Sequence, residues 1–307
     1  MSASGPKRTL EPAHPLGKLT KLRCYLVQEA DMPTQQDVSD HYTHGNLAAA
    51  IRSGIESLGK TIDSVTIDDL AAIDEFHIGG RQASEDFLAQ LDLSPEKHVL
   101  DVGCGLGGTA RFVASRYGCR VTGIDLTPEY VETARVLCGW VGLDNSISLH
   151  QGSALALPFA DRTFDRAYML HVGMNIDDKT KLCSEVSRVL RSNALFGIYD
   201  IMRVGDGELT YPVPWATTAE SSAVASPAQY REALQAAGLS VIAERNRRDF
   251  ALAFYDQLRA RTAAAGGPPP LGPHILMGRN TPDKVQNMIQ NISNGCIAPV
   301  ELIARKA

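Results

Sequence analysis

The chain has 307 residues, 44% hydrophobic and 21% charged, with a formal net charge of −5. These are ordinary globular proportions, and the acidic balance leaves no basic field to hold nucleic acid. No apolar run approaches the ~18 residues of a membrane span, residues 1–8 lack the apolar core of a secretory leader, and the six scattered cysteines form no zinc or disulfide pattern, so the expected setting is the cytoplasm without membrane, nucleic acid or metal.

Residues 1–35, with Pro6, Pro12, Pro15 and Pro33, read as a loosely ordered arm holding one short element over 19–28. From Val38 the pattern turns helical: Leu47, Ala48, Ile51, Ile55 and Leu58 recur at helix spacing until Gly59. Further helices are expected over 68–76 and 81–91, the second turning Phe87 and Leu88 inward, so that 36–95 form a helical cap. Pro95 then breaks the chain. Strands over 98–102, 120–125, 147–151, 164–170 and 195–201 alternate with helices over 107–116, 128–141 and 179–190. Short apolar strands separated by helices predict a parallel α/β sheet with right-handed crossovers. Residues 203–226, with Pro212, Pro214 and Trp215, read as an inserted loop. A helix over 227–237, a strand over 240–246, helices over 250–264 and 282–292 around a proline linker at 266–270, and a strand over 299–305 complete the chain.

The most informative stretch is Val99-Leu100-Asp101-Val102-Gly103-Cys104-Gly105-Leu106-Gly107-Gly108. A strand, a glycine turn and a helix bring backbone N–H groups and a positive helix end to a bound ligand. Gly103, Gly105 and Gly108 satisfy G-x-G-x-x-G, with Asp125 at ribose distance, which keeps a nicotinamide-dependent oxidoreductase open. The acidic Asp101, two positions before the first glycine, and the motif's start near residue 99 both point away from it.

Residues 99–107 resemble motif I, Asp-x-Gly-x-Gly-x-Gly, of the class I S-adenosylmethionine-dependent methyltransferases. Gly123-Ile124-Asp125-Leu126-Thr127-Pro128 resembles their second motif. Gly152-Ser153-Ala154-Leu155-Ala156-Leu157-Pro158-Phe159, with Asp161, Phe164 and Asp165, resembles their third and fourth. The resemblance covers about residues 75–202 and is similar in type to sarcosine/dimethylglycine, phosphoethanolamine, sterol-carbon and ubiquinone-biosynthesis enzymes. It implies a doubly wound, mostly parallel seven-stranded sheet over 96–307, its last strand antiparallel, with helical lid insertions at about 203–226 and 250–295.

The implied cofactor is S-adenosyl-L-methionine, and the implied acceptor a nitrogen or oxygen of a small molecule. Asp125 would hold the ribose hydroxyls. Asp101 would touch the cofactor or only orient the glycine loop, while Gly103, Gly105, Leu126, Ala154 and Leu170 would line its bed. Ser153 departs from the family's usual Asp beside the adenine, and Tyr42 would lie over the sulfonium. His171 is the candidate general base. Asn175 would position the acceptor or cap a helix starting near Asp177. His77 would lie near the acceptor. Tyr211 and Trp215 would contact it, or Trp215 would anchor the inserted loop. Arg81 and Arg203 could hold an acceptor carboxylate, and Cys104 is a buried filler. Carbon methylation, a non-catalytic binding protein and a homodimer stay open.

Overall fold

Val99, Leu100 and Val102 are fully buried because β1 (His98–Val102) has a neighbour on each side and helices over both faces. The computed structural model describes residues 1, 2, 5 and 34–307, and 34–307 lie within one compact unit. The element expected over 19–28 lies outside the described residues.

The other strands are β2 (Arg120–Asp125), β3 (Ile147–Gln151), β4 (Phe164–Leu170), β5 (Leu190–Arg203), β6 (Leu239–Asn246) and β7 (Ile297–Lys306). They form one sheet in the order β3-β2-β1-β4-β5-β7-β6. The first five run parallel, and β7 is antiparallel to both β5 and β6, so the last strand sits inside the sheet. Strand order reverses between β1 and β4, and their carboxyl ends therefore border the crevice where open α/β sheets bind ligands.

The helical run expected from Val38 is two helices, α1 (Gln35–Tyr42) and α2 (Leu47–Ser57). Thr34 and Asp37 form a capping box at the first, and Gly45 (φ 87°) turns the chain between them. α3 (Ile67–Asp74) and α4 (Gly80–Leu88) follow, then α5 (Gly108–Tyr117), α6 (Pro128–Trp140) and α7 (Lys179–Val189) between strands. α8 (Pro227–Ala236) precedes β6, and α9 (Arg248–Ala264), α10 (His274–Met277) and α11 (Thr281–Ser293) lie between β6 and β7.

Two apolar layers sandwich the sheet. Leu182 and Val186 of α7 with Tyr230 and Leu234 of α8 cover one face. Phe87 and Leu88 of α4, Val113 of α5 and Val131 of α6 cover the other. Residues 203–226 do not hang free: Trp215 packs with Ile201, Val213 and Ile297 and is only 2% exposed.

Candidate active site

The glycine turn follows β1 directly. Gly103 takes φ 74°, and a Cβ there would meet Val172 Cγ2 at 2.4 Å, so only glycine lets the strand ends approach this closely. Gly103 N donates to Ile124 O at 2.8 Å, which joins the turn to β2. One residue beyond Ile124, Asp125 closes the turn: its Oδ2 accepts from Gly105 N at 2.8 Å and its Oδ1 from Thr127 N at 2.9 Å. Burial pushes its carboxyl above the ordinary range, and the two N–H groups oppose that shift.

Behind this turn lies a cavity of about 1420 Å3. The structure brings Tyr42, His77, Gly103, Gly105, Asp125, Leu126, Ser153, Ala154, Leu170, His171, Asn175 and Trp215 to its walls. Ser153 Oγ accepts from Leu155 N at 3.1 Å, which steadies the turn after β3. Tyr42 Oη donates to Asn175 Oδ1 at 3.3 Å, linking α1 to the end of β4. His41 Nε2 lies 3.1 Å from Pro214 O, and Glu129 of α6 accepts from His44 N and from Leu47 N, the latter at 3.0 Å.

His171 is the most constrained residue of the site. It has φ 51°, its N–H donates to Tyr199 O at 2.7 Å, and its ring centroid lies 5.8 Å from that of His77 and 5.1 Å from that of Tyr199. Its Nε2 is buried with no partner among the described residues. Burial, reinforced by neighbouring His77, holds its pKa well below the usual histidine range, so the ring is neutral near pH 7. His77 is also buried and pushed down to about 4, chiefly by desolvation. Its Nε2 lies 3.1 Å from Ser84 Oγ, which donates to Glu75 Oε2 at 2.7 Å. Glu75 in turn pairs with Arg81 Nε at 3.0 Å.

Three expectations need correction, those for Asp101, Tyr211 and Arg203, and for Trp215 and Asn175 one of two open readings drops out. Asp101 does not line the cavity, and among the described residues no backbone N–H donates to it. Buried under the sheet end, it accepts from Tyr168 Oη at 3.0 Å, and desolvation pushes its carboxyl up to about 8. Tyr211 is absent from the cavity wall because it packs into the apolar cluster around Trp215. Trp215 is an anchor and not an exposed contact: its Nε1 donates to Ser222 Oγ at 2.9 Å while its ring forms part of the wall. Asn175 does not cap α7, since Asp178 does so by accepting from Lys181 N at 2.7 Å. Arg203 is turned away to Gly207 O. Arg81 does reach the wall, already held by Glu75 and stacked over Phe112 at 4.4 Å.

Sequence reasoning missed Glu75, Ser84, Tyr199 and Glu129. Tyr199 and Glu129 act through partners distant in the chain, and Glu75 and Ser84 meet His77 only through the turn between α3 and α4, which no residue pattern marks.

A family model described as a methyltransferase domain matches residues 100–198. Methyltransferase GfsG of Streptomyces halstedii is 32% identical over 168 residues, covering 54% of this chain and 58% of that protein. O-methyltransferase resE of Aspergillus sclerotiorum is 30% identical over 172 residues, covering 55% and 62%. The chain thus spans about three fifths of the length of these curated relatives. Among solved structures, phosphoethanolamine N-methyltransferase 2 of Haemonchus contortus has a TM-score of 0.68 at 19% identity, covering 90% of this chain and 60% of that one. Geranyl diphosphate C-methyltransferase of Streptomyces coelicolor A3(2) has a TM-score of 0.65 at 17% identity, covering 91% and 99%. Matching motifs, sheet order and crevice agree: this chain carries a methyltransferase domain, set in the seven-stranded fold of the methyltransferases.

Proposed function

We propose that the chain transfers a methyl group from S-adenosylmethionine to a nitrogen or oxygen of a small-molecule acceptor. One observation carries the reading: Asp125 lines the cavity at the carboxyl end of β2, its carboxylate held by Gly105 N on Oδ2 and Thr127 N on Oδ1, with the Thr127 hydroxyl and Leu126 N also beside it. A charged carboxylate fixed at the cavity wall is an acceptor suited to the hydroxyls of a ribose. The glycine turn allows close approach on one side, and Ser153 offers a hydroxyl on the other.

When bound, that cofactor supplies a methyl group already activated as a sulfonium. The chain's task is alignment and exclusion of water. Tyr42 lies at the wall, and the faces of aromatic rings attract such cations. The neutral His171 ring lines the cavity and has one nitrogen free to take a proton from an acceptor hydroxyl. An amine acceptor needs only to be unprotonated when it attacks.

Calorimetric titration with S-adenosylhomocysteine and, separately, NAD tests this. Saturable binding of S-adenosylhomocysteine is expected, and Asp125→Ala should weaken it by about 1.5–3 kcal/mol, the worth of hydrogen bonds to a charged group. Saturable NAD binding without any response to S-adenosylhomocysteine would overturn the reading.

A further inference from the structure

The two ends of the cavity differ in chemistry. Toward the glycine turn the wall offers Asp125, Ser153 and backbone groups. Toward the segment between β6 and β7 it is built from Phe254, Leu258, Leu271, Leu276, Met277 and Met288. At about 1420 Å3 the space exceeds the roughly 300–1,000 Å3 of a pocket for one small ligand, so it can hold a cofactor and a bulky second molecule together.

With the ion pairs set aside (Asp74 with Arg111, Glu75 with Arg81), the charges left on the described wall are still acidic in excess: Asp125, Asp177 and Asp178 against Arg261. Arg81 is already paired with Glu75, and Arg261 is exposed and donates to Gln257 Oε1 at 3.4 Å. An anionic acceptor would therefore leave water for an apolar bed on an acidic rim, which is costly. A cationic one would lose its hydration against the same apolar side chains.

We infer that the acceptor is an uncharged, largely apolar molecule that seats its body against α9–α11 and turns a hydroxyl toward His171. This rests on the reading of the cavity as a methyl-transfer site. In the step, the acceptor oxygen forms a bond to the methyl carbon as the carbon–sulfur bond breaks. The electron pair of that bond stays on sulfur, whose positive charge is discharged to a neutral thioether, and the hydroxyl proton passes to the free nitrogen of the neutral His171 ring. Atoms and charge balance without any further reactant.

The test is calorimetry of the full chain with decan-1-ol, decanoate and decylammonium below their aggregation limits, each with and without S-adenosylhomocysteine. The alcohol is expected to bind at least about tenfold more tightly than either ion, because each ion must be desolvated. Leu258 is 39% exposed at the rim, so Leu258→Glu is expected to fold. It should weaken alcohol binding by about fivefold or more, through lost apolar contact, with the affinity for S-adenosylhomocysteine unchanged. Equal or tighter binding of decanoate or decylammonium overturns the inference, as does no binding of the alcohol. The S-adenosylhomocysteine titration is read separately, so failure of the cofactor assignment and failure of the acceptor class cannot be confused.

Discussion

His171 stands at φ 51°, a left-handed region uncommon for residues other than glycine, and the surrounding structure holds it there. The enforcing contacts are the N–H bond to Tyr199 O and the rings of His77 and Tyr199. They fix a neutral imidazole beside the cavity, which is what a proton acceptor requires. His171→Ala should therefore lower kcat by about 10²- to 10⁴-fold, the usual yield of general-base catalysis, while S-adenosylhomocysteine affinity changes little. Steady-state kinetics beside calorimetry check this, and equal losses in both would reduce the residue to packing. The acid limb of kcat/KM should also lie below pH 6.5, since the ring resists protonation. Asp101 makes the opposite case, a motif residue whose effect is on stability. Its folded carboxyl titrates at about 8, against an ordinary value of 3.8, so between these limits the folded chain holds a proton that the unfolded chain has released. Its contribution is full below about pH 4 and is lost as pH rises through 8. Asn at 101 cannot ionise, so the melting temperature of Asp101→Asn relative to the natural chain should climb from pH 4 to 8. A gap that stays constant with pH would contradict this.

At the scale of elements, α3 is locked to the glycine turn by a buried ion pair. Asp74, its last residue, bonds Arg111 of α5, and neither side chain has any exposure. Arg111 Nη1 also donates to Leu106 O at 2.7 Å, within the turn itself. The approach is close enough that a Cβ on Gly108 would meet Asp74 Cβ at 2.3 Å. Asp74→Ala leaves a buried guanidinium uncompensated and should destabilise the fold by ~3–5 kcal/mol in urea denaturation. Asp74→Leu with Arg111→Met removes both charges and should recover most of that loss. This lock was not legible in the sequence, because it joins residues 37 positions apart with no shared pattern. β1 to β4 were legible to the residue: β1, β2 and β4 are buried along most of their length and read as short apolar runs, while β3, at the sheet edge, alternates Ile147 and Leu149 inward with Ser148 outward. The opening of β5 was not: Arg191, Ser192 and Asn193 are exposed, Asn193 takes φ 60°, and the pairing with β4 shifts register there. Asp125 and the glycine turn could be read because their chemistry is local. The fate of Trp215 and Tyr211 could not, because a loop's side chains are assigned to wall or core only by what the fold places beneath them.

Across the whole molecule, the cavity is where segments far apart in the chain converge. α1 contributes Tyr42, the end of β4 contributes His171 and Asn175, the inserted loop contributes Pro214 and Trp215, and α9–α11 close the far end. α1 is held there by His41 against Pro214 O, by Tyr42 on Asn175 and by Glu129 of α6 on the turn into α2. A ligand gripped by Asp125 should thus tighten α1 as well as the glycine turn, although more than sixty positions separate them. S-adenosylhomocysteine at a hundred times its Kd should add about 2.7 kcal/mol to stability and raise the melting temperature by several degrees. Hydrogen exchange should slow together at residues 41–47, 103–109 and 125–127. The apolar wall at 250–277 should respond little until decan-1-ol is added, because it meets the acceptor and not the adenosyl group. If exchange slows only at 103–109 and 125–127 and α1 keeps its unliganded rate, Tyr42 takes no part in holding the cofactor and α1 serves only as a roof.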